Sequence, residues 1–216
     1  MTNMSVIKKG SFYTVSEEIA NAVTHGVGSL LAIIGTVFLL VRSEGDPWRI
    51  VSSSIYGASM ILLFTMSCLY HAITNVRAKK VLRVFDHSTI FLLIAGTYTP
   101  YTLISLRGPI GWTVFGIVWG VAAAGIILNA ISIERFKKIS MAGYILSGWC
   151  IVAAMVPLTQ TLDLRGIILL FLGGVLYTGG IVFYKKKGIR HMHMLWHLFV
   201  LAGAAAHFLS IALYVI

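Results

Sequence analysis

The sequence predicts an all-α, polytopic membrane protein in which a bundle of seven transmembrane helices forms a single domain over residues 1–216. Hydrophobic residues make up 58% of the chain and charged residues 11%, whereas a soluble domain carries about 25% charged residues. Seven apolar runs, each close to the roughly 20 residues that cross a bilayer, nearly fill the chain. Helices are expected in all of them, because lipid offers no partner to unpaired backbone groups.

Charged breaks define the individual spans in order along the chain. The predicted spans are about 22–41, 49–72, 82–104, 110–131, 140–158, 166–184 and 192–215. The segments that interrupt the apolar runs lie at 42–47, 77–83, 107–109, 134–138, 161–165 and 185–190. Each of these segments contains Arg or Lys, which is costly to place in the bilayer core and therefore marks the end of a span.

The distribution of Lys and Arg predicts the orientation. Thirteen of the 17 basic residues, including two lysines of the N-terminal segment, fall on one side of the predicted topology. The four on the other side are Arg42, Arg49, Arg107 and Arg165. Basic loops stay in the cytoplasm, so we expect a cytoplasmic N-terminus and a C-terminus outside. This bias also explains the net charge of +10 without a nucleic-acid partner, and membrane lipids are the expected partners.

Six of the seven histidines fall at the predicted cytoplasmic face. His193 and His197 are spaced i, i+4, which places both imidazoles on one helix face. Ser67 and His71 have the same spacing at the end of the second span. Three imidazoles with an open fourth position are typical of a catalytic zinc site. The pattern therefore predicts that His71, His193 and His197 bind Zn²⁺.

Asp86 is the one acidic residue well inside an apolar run. An ionised carboxylate in a bilayer needs a partner or a metal, and a position near the zinc would provide one. The alternative is that Asp86 pairs with Arg83 or with a histidine.

The other candidates have structural alternatives as well. His71 alone could cap its helix at the interface, and His193 with His197 could lie near anionic lipid headgroups. Ser67 could donate to a carbonyl one turn back, as serine often does in membrane helices. His207 lies ten residues after His197, about 15 Å along the axis, so it is expected to make an interhelical hydrogen bond rather than to bind the same metal.

Two further histidines are not expected to be ligands. His191 is predicted to be a solvated residue of the basic loop. His87 adjoins Asp86, but adjacent helical residues point about 100° apart, which favours a supporting or packing role.

Four motifs on four spans together resemble the hemolysin III family, the bacterial branch of the progestin and adipoQ receptors. They are Glu18-x-x-Asn21-x-x-Thr24-His25, Ser67-x-x-x-His71, Phe85-Asp86-His87, and His193-x-x-x-His197 followed by His207-Phe208. The similarity extends from about residue 17 to the C-terminus, and it is the combination of motifs that makes it specific.

The resemblance implies a seven-helix bundle with an inward N-terminus. It also implies zinc held by His71, His193 and His197, with Asp86 contacting the metal through water and Ser67 near it. The family is related to alkaline ceramidases, and hydrolysis of lipid amides or esters has been proposed for it. Its name derives from a pore-forming, cytolytic activity.

Three functions follow as hypotheses. The first is a zinc-dependent intramembrane hydrolase for a lipid with an acyl chain, in which Asp86 is the general base and Ser67 donates to the developing oxyanion. The second is a receptor-like or membrane-homeostasis regulator with a structural zinc. The third is a pore-forming cytolysin, against which the apolar outer halves of the spans argue. Each fits a multi-pass protein of a bacterial cell membrane.

Overall fold

The structure is a computed structural model that describes residues 13–186 and 188–216, and every regular element in these residues is helical. Lys187 and the two N-terminal lysines of the charge count lie outside the described residues. The helices are α1 (Val15–Arg42), α2 (Pro47–Ala72), α3 (Val76–Pro100), α4 (Pro109–Gly148), α5 (Met155–Thr159), α6 (Leu164–Lys185) and α7 (Met192–Tyr214).

Side-chain caps begin four of these helices. Oxygens of Thr14, Asp46, Asn75 and Asp163 accept backbone N–H groups in the first turns of α1, α2, α3 and α6, each contributing about 1 kcal/mol. The Asn75 cap starts α3 at Val76, several residues before the predicted boundary near 82. The basic stretch at 77–83 is therefore helical, not the loop that the sequence predicted.

The chain reverses direction within α4, at Ser132. The backbone of Ser132 is extended, with φ −169° and ψ 109°, and its hydroxyl accepts the N–H of Arg135 at 3.3 Å. Ser140 then donates to the side chain of Asn129 at 2.8 Å, although eleven residues of straight helix would separate them by roughly 16 Å. The reversal coincides with the predicted end of the fourth span. The segment 132–139, expected between two spans, resumes the helix directly.

The predicted fifth span, 140–158, is not one continuous helix. α4 ends at Gly148, and the 3-10 segment Cys150–Ala154 leads into α5. Tyr98 of α3 bridges this break, because its hydroxyl donates to the Gly148 carbonyl and accepts from the Ile151 N–H, both at 2.8 Å. A side chain of a neighbouring helix thus satisfies backbone groups that lipid could not.

Five helical segments of the described residues are long and apolar enough to cross a membrane, judged by length and composition: α1, α2, Pro109–Thr159, α6 and α7. The 51 residues of Pro109–Thr159 would extend roughly 75 Å as one straight helix, far beyond a hydrocarbon core of about 30 Å. α3 is not among the five. It carries the basic stretch in its first turns and packs against α2 and α4.

α1 packs against α2, α2 against α3, α3 against α4 and α6 against α7. α1 also contacts α7, which brings the first and last helices of the bundle together. Large apolar side chains such as Leu30, Ile34 and Val41 remain exposed on α1, as expected of a surface in contact with lipid. The multi-span membrane character predicted from composition is thereby confirmed.

Candidate metal centre and its cavity

Three histidines converge where the end of α2 meets the start of α7. One ligand nitrogen from each of His71, His193 and His197 lies within 4.8 Å of the other two. The ring centroids are 4.6–5.2 Å apart, and the side chains of His71 and His197 are almost fully buried. The i, i+4 spacing places His193 and His197 on the same face of α7, as predicted, and α2 supplies the third ring. This histidine cluster can bind a metal ion.

Glu18 of α1 fixes the orientation of His71. The Nδ1 atom of His71 lies 2.6 Å from Glu18 Oε2, and because a carboxylate accepts, Nδ1 carries the hydrogen. The opposite nitrogen, Nε2, is buried and has no hydrogen-bond partner among the described residues. Lys79 donates to the other carboxylate oxygen of Glu18 at 2.6 Å. A carboxylate behind a histidine is the arrangement that orients metal-binding imidazoles.

The backbone of α1 fixes His197 in the same way. His197 Nδ1 lies 3.2 Å from the carbonyl oxygen of Asn21 and 3.2 Å from the hydroxyl of Thr24. The carbonyl can only accept, so Nδ1 donates and Nε2 keeps its lone pair for a ligand. Both buried histidines of the cluster thus direct Nε2 away from α1. Each of the two rings therefore has an unprotonated nitrogen, and a metal ligand requires such a nitrogen.

His25 stacks on the cluster from α1. Its ring is parallel to that of His197, with centroids 3.6 Å apart and planes within 10°. The side chain is buried, and neither ring nitrogen has a hydrogen-bond partner in the described part of the chain. Tyr13 closes the other side, with its ring 4.9 Å from that of His193. Burial raises the pKa of the Tyr13 hydroxyl above its ordinary value.

Ser67 and Asp86, the two predicted catalytic residues, line the same cavity as His193 and His197. The Ser67 side chain is buried, and its hydroxyl has no partner among the described residues. The alternative that Ser67 donates to a carbonyl one turn back is therefore not observed. The Ser67 hydroxyl is thus a free hydrogen-bonding group on the cavity wall.

Asp86 does not pair with Arg83, which bonds to Glu134 of α4 instead. The alternative contact with a histidine is observed, because an Asp86 carboxylate oxygen lies 3.5 Å from Nδ1 of His87, within ion-pair distance. That nitrogen also lies 3.0 Å from the Arg83 carbonyl, to which it donates its hydrogen. His87 does not belong to the histidine cluster, as the sequence predicted. The Asp86 carboxylate, with 17% of its side chain exposed, faces the cavity.

The cavity has a volume of about 550 Å³ and extends from the histidine cluster into the bundle. Arg83, Glu134, Lys186 and Arg190 line its wall near the cluster end of the helices, and His207 lines it deep in α7. The wall between is largely apolar, with Leu93, Ile94 and Val200 among its residues. A largely apolar lining with a few polar groups is typical of cavities that bind small ligands.

The remaining histidines are placed as the sequence predicted. His191 is exposed and precedes α7 in a left-handed conformation, with φ 60°, and its N–H donates to Glu17 at 3.0 Å. His207 makes the predicted interhelical hydrogen bond, from Nε2 to the Leu170 carbonyl of α6 at 2.9 Å.

Sequence reasoning assigned no role to Glu18, Thr24 or Tyr13 at the site. A signal was present for the residues of α1, because Glu18, Asn21 and His25 recur at spacings of three and four. This period places three polar residues on one face of an otherwise apolar helix. A polar face on a membrane helix indicates a partner inside the bundle.

Comparison with known proteins gives one consistent result over almost the whole chain. The family model for haemolysin-III-related proteins matches residues 13–208. The chain is 46% identical over 204 residues to the hemolysin-3 homolog of Bacillus subtilis (strain 168), covering 94% of this chain and 96% of that protein. It is 44% identical to hemolysin-3 of Bacillus cereus, with 94% and 93% covered. It is 30% identical to human monocyte to macrophage differentiation factor, with 92% and 84% covered.

Proposed function

The chain belongs to the haemolysin-III-related family, and from this premise we propose that it is a zinc-dependent intramembrane hydrolase acting on an amide or ester of a lipid. The observation that carries the proposal is the histidine cluster at one end of a largely apolar cavity. Ser67 and Asp86 lie on the wall of that same cavity. No other group of described residues combines metal-ligand chemistry with a space for substrate.

Zinc is the metal that best fits the donor set. Three imidazole nitrogens with a position left open are typical of catalytic zinc. His71, His193 and His197 would hold the ion, and the Glu18 carboxylate and the Asn21 carbonyl would keep the rings oriented. When bound, zinc supplies Lewis acidity that polarises a carbonyl group and acidifies water.

The chain's own residues would perform the remaining steps. Asp86 would accept the proton of the attacking water and later return it to the leaving amine or alcohol, as a general base and acid does. The Ser67 hydroxyl, which has no partner among the described residues, would donate to the carbonyl oxygen as negative charge develops there. The apolar wall would hold the acyl chain and exclude bulk water.

We also propose the topology that gives this site its place in the cell. α1, α2, α3, α6 and α7 would each cross the membrane once. The part of α4 before Ser132 would form a further crossing, and the part after Ser132, continued by α5, would form the seventh. The N-terminus and the histidine cluster would face the cytoplasm of a bacterial cell, and the C-terminus would lie outside the plasma membrane. A phosphatase fused to the C-terminus should be active in a bacterial host, and an inactive fusion would reverse the orientation.

Metal content and turnover, measured on the same detergent-purified protein, test the main proposal. Elemental analysis should give one zinc per chain, and a panel of ceramides and other acyl lipids should contain a substrate. Asp86→Asn should abolish turnover and retain the zinc. The matched control is Asp163→Asn, which changes a helix cap outside the cavity. It should leave turnover and zinc content unchanged, because Asn caps a helix as well as Asp does.

The same measurements distinguish the hydrolase from two other functions. One zinc per chain without turnover on any lipid would favour a regulator in which zinc ties α2 to α7, since the histidine cluster joins these two helices. The name of the two Bacillus relatives, hemolysin-3, motivates the cytolysin alternative. Lysis of red cells by purified protein, with no lipid turnover, would favour it. Absence of zinc would overturn the metal-centre proposal.

A further inference from the structure

Two polar groups lie at the deep end of the cavity, away from the histidine cluster, and the proposed hydrolysis does not use them. His207 of α7 and Tyr177 of α6 both line the cavity, and their ring centroids are 5.4 Å apart. His207 follows His197 by ten residues, which corresponds to about 15 Å along the helix axis. The two groups are therefore remote from the metal centre but share its cavity.

The orientation of the His207 ring is fixed by α6. A Cβ atom on Gly173 would lie 2.3 Å from both Cδ2 and Nε2 of His207, so this edge of the ring rests on the α6 backbone. Nε2 donates to the Leu170 carbonyl at 2.9 Å. Nδ1 is the ring atom opposite the Cδ2–Nε2 edge, and it points away from α6. It is buried, has no partner among the described residues and can only accept.

The Tyr177 hydroxyl is also buried and lacks a hydrogen-bond partner in the described residues. Three other hydroxyls on the cavity wall are already bonded, because Thr97 donates to Leu93, Thr178 to Gly174, and Tyr98 bridges the break after α4. The hydroxyl of Ser67, which the proposed hydrolysis uses, also lacks a partner among the described residues. His207 Nδ1 and the Tyr177 hydroxyl are thus an acceptor and a donor without partners among the described residues, carried by rings whose centroids lie 5.4 Å apart.

We propose that His207 and Tyr177 form a subsite that binds a hydroxyl group on the chain of a lipid whose polar head lies at the metal centre. A buried polar atom without a partner costs about 1–3 kcal/mol, and a plain hydrocarbon chain cannot relieve that cost. A hydroxyl both donates and accepts, so one hydroxyl satisfies Nδ1 and the tyrosine together. This inference rests on the proposed lipid ligand and specifies its class as chain-hydroxylated.

The separation of the two sites predicts where the hydroxyl lies. With a carbon–carbon bond of about 1.5 Å, an extended chain advances roughly 1.3 Å per carbon, so about twelve carbons cover the 15 Å between the sites. The test compares three fatty acids, octadecanoic acid and its 2-hydroxy and 12-hydroxy derivatives. Each competes with a fluorescent fatty acid for the detergent-purified, full-length, zinc-loaded protein.

The 12-hydroxy acid should bind about tenfold more tightly than octadecanoic acid, from two additional buried hydrogen bonds, and the 2-hydroxy acid should show no such gain. Tyr177→Phe removes only the hydroxyl and should reduce the preference to about threefold or less. His207→Gln keeps a donor for the Leu170 carbonyl and removes the Nδ1 acceptor. It should reduce the preference for the 12-hydroxy acid to a similar extent. Tyr214→Phe, at a tyrosine that does not line the cavity, is the control and should keep the full preference.

Equal binding of all three acids to the wild-type protein would overturn the subsite and leave the proposed hydrolase intact, because the two groups would then bond only to water. The same gain for both hydroxy acids would place the recognition elsewhere and overturn it as well. If none of the acids binds, the lipid ligand of the proposed function fails, and the subsite fails with it.

Discussion

Replacing Glu18 with Gln should weaken zinc binding about tenfold while all three histidines remain in place. The Glu18 carboxylate lies 2.6 Å from His71 Nδ1, and the His71 side chain has no exposed surface. Gln has the same length and still offers an oxygen to Nδ1, so the hydrogen bond persists without its charge. Hydrogen-bond partners of metal-binding histidines contribute about 10- to 100-fold to affinity. We therefore expect the lower value for Gln and about 100-fold for Glu18→Ala.

The measurement is competition for zinc between the purified protein and a fluorescent chelator, repeated for each variant. Lys79→Met is the first control, because it removes the second partner of Glu18 and leaves the contact with His71. We expect a change of about threefold or less, since a partly exposed ion pair contributes little. Glu44→Gln is the second control. Glu44 is exposed in the loop between α1 and α2, and its loss should have no effect.

Two results would refute the reasoning. Wild-type affinity in Glu18→Gln would mean that the carboxylate does not support the metal through His71. A loss in Lys79→Met equal to that in Glu18→Gln would mean that the effect arises from the ion pair between α1 and α3 and not from the orientation of the imidazole.

Three further predictions concern the site and the fold. Each of His71→Ala, His193→Ala and His197→Ala should lower bound zinc and the melting temperature, because a metal that binds only the native state stabilises it; full zinc in two of the three would disprove the ligand assignment. Asp86→Asn should keep most of the zinc and remove turnover, and residual hydrolysis near the wild-type rate would exclude Asp86 as the base. Tyr98→Phe should destabilise the protein by about 1–3 kcal/mol, because two backbone groups lose their partner; an unchanged thermal unfolding curve would show that they find another.

The sequence predicted helix positions well where polar breaks interrupt apolar runs, and less well where side chains decide the boundary. Asn75 caps α3 and extends it through the basic stretch at 77–83, since helical Lys and Arg can reach partners such as Glu18 and Glu134. The reversal at Ser132 needs no loop, because an extended residue and a serine cap suffice. Neither effect is visible in the apolar pattern.

The convergence of the three histidines was predictable, because two share a helix face and the third lies at the same predicted membrane side. The contacts that orient them were not. The hydrogen bond from His71 to Glu18 depends on how far α1 and α2 are shifted relative to each other along their axes. The spacing of apolar residues within each helix does not predict that shift. The pairing of His207 with Tyr177 likewise depends on Gly173, which admits the imidazole against α6.

The histidine cluster has a consequence for biosynthesis. Its rings come from α2 and α7, and the contacts that orient them come from α1, so Asn21 and His197 meet across 176 residues of sequence. Helices leave the ribosome in order, N-terminal first, and the last of them supplies two of the three rings. A chain that ends or stalls before α7 therefore lacks two of the three rings, and a tightly bound zinc ion would mark only those molecules whose synthesis has passed His197.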